Sequence, residues 1–176
     1  PESVKHIGIS AFADTDNLYD IQVSDNVEYM GSDAFCYTGM YYDSDYWQNG
    51  ILYVGNHLIK AKTYVSDITI KAGTVTIAES AFSNCQYLTS INIPEGVTTI
   101  EENAFEGCSS MLTIVLPATL TTVEDSAFAN CKNLKSVIIG DGATVGTDAF
   151  YNESWHAESE RVFRDYYDPA TGGKIN

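Results

Sequence analysis

Apolar positions along the chain recur in one short phrase. Leu88-x-x-Ile91-x-Ile93 is followed by Pro94, Val97 and Ile100, and Met111-x-x-Ile114-x-Leu116 by Pro117, Leu120 and Val123. Leu134-x-x-Val137-x-Ile139 is followed by Gly140 and Val145. Leu18, Ile21, Val23, Val27 and Met30 repeat the phrase earlier, as do Val65, Ile68, Ile70 and Ile77. Two apolar residues at a spacing of two face one side of an extended strand. Each unit therefore predicts one short strand with a buried and an outward side. A single such strand cannot bury its apolar side. Successive units must stack, strand on parallel strand at ~4.8 Å, around a continuous core.

A second signal punctuates the first. Ala-Phe occurs at 11–12, 34–35, 81–82, 104–105, 127–128 and 149–150, in steps of 23, 47, 23, 23 and 22. Phe at a fixed place in every unit predicts a stacked aromatic column, with Ala beside it where space is short. Cys85, Cys108 and Cys131 are also one period apart and predict a column of small buried fillers. Their parallel Cβ vectors fit a disulfide badly, although stacking brings the Cα atoms close. Cys36 falls two residues earlier in its unit and is expected as a free or half-buried thiol. Pro94 and Pro117 come just after a strand, where a missing backbone donor costs little.

Residues 88 to 131 match, almost position for position, the unit Leu-x-x-Ile-x-Ile-Pro-x-x-Val-x-x-Ile followed by x-x-x-Ala-Phe-x-x-Cys. In this the chain resembles the BspA-like leucine-rich repeats of bacterial and protist surface proteins, over about residues 7 to 150. Ser24 and Gly140 depart from the usual Pro. The resemblance implies a right-handed leucine-rich-repeat solenoid of the α/β-horseshoe type, built mostly of short parallel strands and turns with little helix.

The step of 47 is two periods plus one, yet one half-unit fills it. Upstream of that half-unit, Ile51–Val54 and His57–Lys60 flank Gly55-Asn56, which predicts a hairpin with a two-residue turn. The string Trp47-x-Asn49-Gly50-x-Leu52-Tyr53-x-Gly55 is similar to an insert that recurs in the same family. Residues 1–150 therefore read as repeats with a hairpin-bearing insertion near 41–64. Residues 151–176 lose the period and read as a C-terminal cap and tail, with a short helix expected over 155–163. The chain begins at Pro1 and reads as a processed or trimmed piece of a longer protein.

Charge narrows the partners. The chain carries 24 acidic and nine basic residues, a net charge of −15, which repels nucleic acid and anionic membrane surfaces. No apolar run approaches the ~20 residues of a membrane span, so no membrane insertion is expected of this segment.

Little chemistry survives the repeat. The histidines, His6, His57 and His156, are scattered, and no sequence arrangement pairs a base with a nucleophile. Asp14-Thr15-Asp16 has only the opening of a calcium loop, and Leu18 within it is a core position. The acidic pairs Glu101/Glu102 and Glu124/Asp125 lack a cleft in an open solenoid, whereas a glycosidase needs two facing carboxylates. No catalytic residue, cofactor or metal is expected.

Two candidate binding surfaces remain. One is the aromatic cluster Tyr37, Tyr41, Tyr42, Tyr46, Trp47, Tyr53 and Tyr64, from which Tyr42, Tyr46, Trp47 and Tyr53 are chosen. Flat rings with a polar handle suit sugar faces and protein hot spots, or else pack the insertion onto the solenoid. The other is the outward face of the strands: Asp20/Gln22, Asp67/Thr69, Ser90/Asn92, Thr113/Val115 and Ser136/Ile138. Asn92, Val115 and Ile138 form its stripe, which turns apolar toward one end. That end is a binding patch or a contact with the tail or a neighbouring chain.

The resemblance implies a cell-surface or secreted, non-catalytic adhesion module recognising a host or matrix protein, or a glycan. The alternative is a passive spacer within a longer surface protein, and more remotely an accessory module of a carbohydrate-active enzyme.

Overall fold

A computed structural model describes residues 1–140 and 142–152 and, as backbone alone, residues 166–167 and 174–175. The helix expected over 155–163 lies outside the described residues. The chain is a β-solenoid with one four-residue helix, α1 (Gly39–Tyr42), among the described residues. Its strands are β1 (His6–Ile7), β2 (Tyr29–Met30), β3 (Trp47–Gln48), β4 (Ile51–Val54) and β5 (His57–Ala61). They continue as β6 (Asp67–Thr69), β7 (Thr76–Ile77), β8 (Ser90–Asn92), β9 (Thr99–Ile100) and β10 (Thr113–Val115). Then come β11 (Thr122–Val123), β12 (Ser136–Ile138), β13 (Thr144–Val145), β14 (Tyr166–Tyr167) and β15 (Lys174–Ile175).

Each regular coil carries two strands where the apolar phrase predicts one. The first holds the Ile-x-Ile phrase: β6 pairs with β8, and β10 with β12, in parallel and in register. The second begins at the Thr-Ile or Thr-Val pair that ends the unit, and β7, β9, β11 and β13 pair in parallel in that order. Two apolar ends per unit bury two sides of a flattened coil, so the side opposite the first sheet is strand and turn rather than helix.

Turns are set by residues that tolerate left-handed backbone. Ser10, Asp33, Ser80, Asn103, Ser126 and Asp148, each just before an Ala-Phe, have φ between 53 and 56°. Apart from Gly, short polar residues visit this region most readily, because their side chains bond locally. From Asp33 onward the Ala and Phe that follow are buried, whereas after Ser10 Ala11 is exposed and Phe12 half-buried.

The Phe column exists in two pieces. Phe82, Phe105, Phe128 and Phe150 stack with centroids 4.8, 4.9 and 5.2 Å apart and rings nearly parallel. Phe12 and Phe35 stack separately at 5.0 Å. The thiols of Cys108 and Cys131 donate to the carbonyls of Phe82 and Phe105 in the preceding coil, at 3.3 and 3.2 Å.

The insertion fills the gap between the two Phe stacks. β5 pairs in parallel with β7, His57 opposite Thr76 and Leu58 opposite Ile77. The Ala61 amide donates to Ala81, and the Cys85 thiol to the Lys62 carbonyl, where other coils use Phe. β5 thus occupies the stacking place of a coil. β4 and β3 extend the same sheet beyond it by antiparallel pairing. β4 and β5 meet at Gly55-Asn56, and β3 and β4 meet at Asn49-Gly50, a second hairpin turn that the sequence reading omits. Both Asn49 and Gly50 have positive φ, 51 and 80°, as a type I′ turn demands.

β2, displaced by β5, meets the sheet sideways. The Leu58 carbonyl accepts from Ala78, but the Met30 carbonyl accepts from Glu79. The first apolar phrase is affected too. Leu18, Ile21 and Val23 are only half-buried and form no strand, contrary to the strand face expected at Asp20/Gln22. The place of a neighbouring strand one period on belongs to the turn at 44–46, so residues 20–22 have no ladder to join. At the far end, β14 pairs with β12, Ile138 opposite Tyr167, and β15 pairs with β14.

Candidate functional site

The aromatic insertion is held from below. Thr38 caps α1: its hydroxyl donates to the Phe35 carbonyl and accepts from the Tyr41 amide. Asp43 then caps the 3₁₀ turn Ser44–Tyr46 through the Asp45 amide. Trp47 is half-buried, and its indole N–H donates to the Tyr41 carbonyl at 2.8 Å. Tyr41 meets the Trp47 ring edge-on at 5.4 Å, and the Lys62 ammonium lies 3.5 Å from the Trp47 ring centroid. Desolvation raises the Tyr41 phenol above its ordinary range. Trp47 and Tyr41 are therefore anchors.

The exposed rings surround these anchors. Tyr42 is 66% exposed, and Tyr37, Tyr46 and Tyr19 are exposed as well. Tyr37 contacts Tyr41 and Tyr42, and Tyr46 contacts Tyr19 at 6.4 Å. Tyr19, from the first coil, is a member of this patch that sequence reasoning missed, because it lies 18 or more residues from the others. Tyr53 stands apart. It is half-buried, its hydroxyl accepts from the Lys71 amide at 3.1 Å, and the Lys71 ammonium lies 5.1 Å from its ring. Tyr53 ties the hairpin to the next coil.

The strand stripe is real but uneven. Asn92 and Val115 are exposed, Val115 at 58%. Ile138 sits directly opposite Val115 in the ladder, is half-buried, and takes Tyr167 as backbone partner on its other side. The apolar end of the stripe thus meets the tail.

None of the four cysteines is disulfide-bonded, and all are buried. Burial pushes Cys85 up to about 11, and burial with the Asp33 carboxylate pushes Cys36 up to about 12. Cys36 donates to that carboxylate at 3.0 Å and is fully rather than half buried. These are unreactive thiols. His57, read as a scattered polar residue, is wholly buried in β5. Its Nε2 lies 3.0 Å from the Ser24 carbonyl, and burial lowers its pKa. Among the described residues no group of three His, Cys, Asp or Glu side chains is placed to hold a metal.

The acidic pairs find a setting that the open solenoid did not promise. Glu101, Glu102 and Glu124 line a groove of about 580 Å³ between the displaced β1–β2 unit and the coils of β9 and β11. The sequence shows these residues but not the wall opposite them.

Six copies of the BspA type leucine rich repeat region match the sequence, over residues 1–57 and 52–157. The chain belongs to the BspA-type leucine-rich repeat family. No curated protein sequence matches this BspA-type chain significantly. Among solved structures it is similar to a leucine rich cell surface protein from Faecalibacterium prausnitzii (24% identity, TM-score 0.48, covering 82% of this chain and 47% of that one). It is also similar to the T. pallidum leucine rich repeat protein (20%, TM-score 0.47, 62% and 65%). The pneumococcal vaccine antigen PcpA is a third (18%, TM-score 0.46, 84% and 47%). The chain spans about half the length of the first and third of these. Among the described residues no helix is long and apolar enough to cross a membrane.

Proposed function

We propose that this chain is a non-catalytic binding module of a surface-displayed protein, recognising a host or matrix protein, or a glycan, through its tyrosine patch. One observation carries the reading. Tyr19, Tyr37, Tyr42 and Tyr46 are exposed beside Tyr41 and Trp47, which the backbone and Lys62 hold in place. Rings already ordered lose little entropy on binding, and Tyr is enriched where binding energy concentrates. Surface display is supported by family membership.

The test applies the chain to glycan and matrix-protein arrays. Tyr42→Ala with Tyr46→Ala is expected to weaken retained ligands by at least about tenfold, the loss of one or two modest hot spots. Val115→Ser with Ile138→Ser is expected to leave them unchanged. Loss in the second variant alone moves the site to the strand face. A chain that retains nothing on either array is a spacer.

A further inference from the structure

The groove beside β9 and β11 is built from two walls. Thr98, Thr99 and Glu101 recur one period later as Thr121, Thr122 and Glu124, and these six line it together with Glu102. His6, Glu28 and Tyr29, from the displaced β1–β2 unit, close the other side. Glu79 stands behind Tyr29, accepting its hydroxyl at 2.6 Å and the Ser32 amide at 3.2 Å. Glu101 is only 3% exposed, and its Oε1 has no hydrogen-bond partner. The Met30 amide bonds to the same carboxyl. A buried carboxyl oxygen without a donor is costly, and it marks a place where a donor is wanted.

We propose that this groove receives a guanidinium: the arginine side chain of a polypeptide partner, docking on Glu101 and Glu124 with the threonine hydroxyls as further acceptors. The proposal does not rest on the tyrosine patch. The lining offers acceptors and negative charge spread over two coils, and the Lys5 ammonium, which reaches Glu28 of that lining, is already paired with it at 2.7 Å. A compact metal ion wants converging ligands, and among the described residues no three side chains supply them. The planar fork of five N–H donors on arginine suits separated acceptors. The net charge of −15 draws a cationic partner and repels a second copy of this chain.

Burial, then Glu124 and Glu79, raise the Glu101 carboxyl to about 8. A bound cation favours the ionised form, so binding near neutral pH expels a proton. The groups facing Glu101 are Glu79, Glu102 and Glu124 from the sheet side, and His6, Glu28, Tyr29 and Lys5 from the β1–β2 side.

The test is calorimetric titration of the intact chain with a tetra-arginine peptide at low salt, with tetra-lysine and calcium chloride as parallel arms. Glu101→Gln and Glu124→Gln are each expected to weaken tetra-arginine about tenfold, and exposed Asp20→Asn, with the same charge change outside the groove, less than about twofold. At pH 7, binding should release protons from the wild type but not from Glu101→Gln, which separates Glu101 from His6. Tetra-lysine should bind more weakly than tetra-arginine. Absence of binding, equal weakening in all three variants, or proton release undiminished in Glu101→Gln overturns the proposal. Calcium that displaces the peptide and binds more tightly overturns it in favour of a metal. Circular dichroism of each variant establishes that it is folded.

Discussion

Phe105 lies between two nearly parallel rings, 4.8 and 4.9 Å away, with no exposed surface. Replacing it with Ala leaves a cavity that the stacked coils cannot close. A loss of about 3–5 kcal/mol is expected in urea unfolding, whereas Phe12→Ala, half-buried at the end of the shorter stack, should lose clearly less. Equal losses would show that the stack does not act as a continuous column. Glu101 carries the opposite kind of signal. Its folded-state pKa, about 8, lies above the ordinary 4.5. Between those values the folded chain binds more protons than the unfolded one, so this group's contribution to stability falls as pH rises. Glu101→Gln should therefore flatten the melting profile from pH 5 to 8 and raise Tm above wild type at pH 8. Parallel profiles would show that the carboxyl is already ionised. His57 acts in the other sense. Its pKa is lowered, so the folded chain binds fewer protons below 6.5 and stability falls with acid there. The difference between variant and wild type isolates Glu101.

At the level of elements, the insertion is a three-stranded meander closed by two turns. Gly50 has φ +80°, and a Cβ there meets the Val65 Cγ1 at 2.9 Å. Gly142 has φ +89° with nothing within 4 Å. Both pay the left-handed penalty of about 1–2 kcal/mol on replacement by Ala. Gly50→Ala should cost more, because it also strains the contact with Val65, and denaturant midpoints of the two variants check this. The Gly55-Asn56 turn was legible from the apolar runs on both sides. The Asn49-Gly50 turn carries the stronger local signal, yet β3 is only Trp47–Gln48, too short to read as a strand. The absent strand at residues 20–22 is the converse case. Its apolar phrase is intact, but a strand is a property of a pair, and the place of its neighbour went to the insertion.

Across the whole molecule each coil touches only its neighbours, so stability should be highest where neighbours exist on both sides. Amide exchange is expected to be slowest at β9 and β11 and faster at β1 and β13. Uniform protection would mean that the coils open only together. The period and the buried columns could be read from the chain, because they are set by residues acting within one unit. The tyrosine cluster, apart from Tyr19, was visible as a run along the chain, but not which of its rings are exposed: Tyr42 and Tyr46 are, whereas Trp47 and Tyr53 are half-buried. The groove was not legible. Its Thr and Glu residues repeat visibly, but the wall of His6, Glu28 and Tyr29 comes from about 70 residues or more upstream. It stands there because β5 takes the stacking place beside β7 and turns β2 to the side. By itself the sequence determined what every coil looks like, since a periodic pattern fixes which side chains go inward. Only the tertiary structure decided which segment stacks where the period breaks, because several apolar strands compete for that one place and the local pattern does not distinguish them.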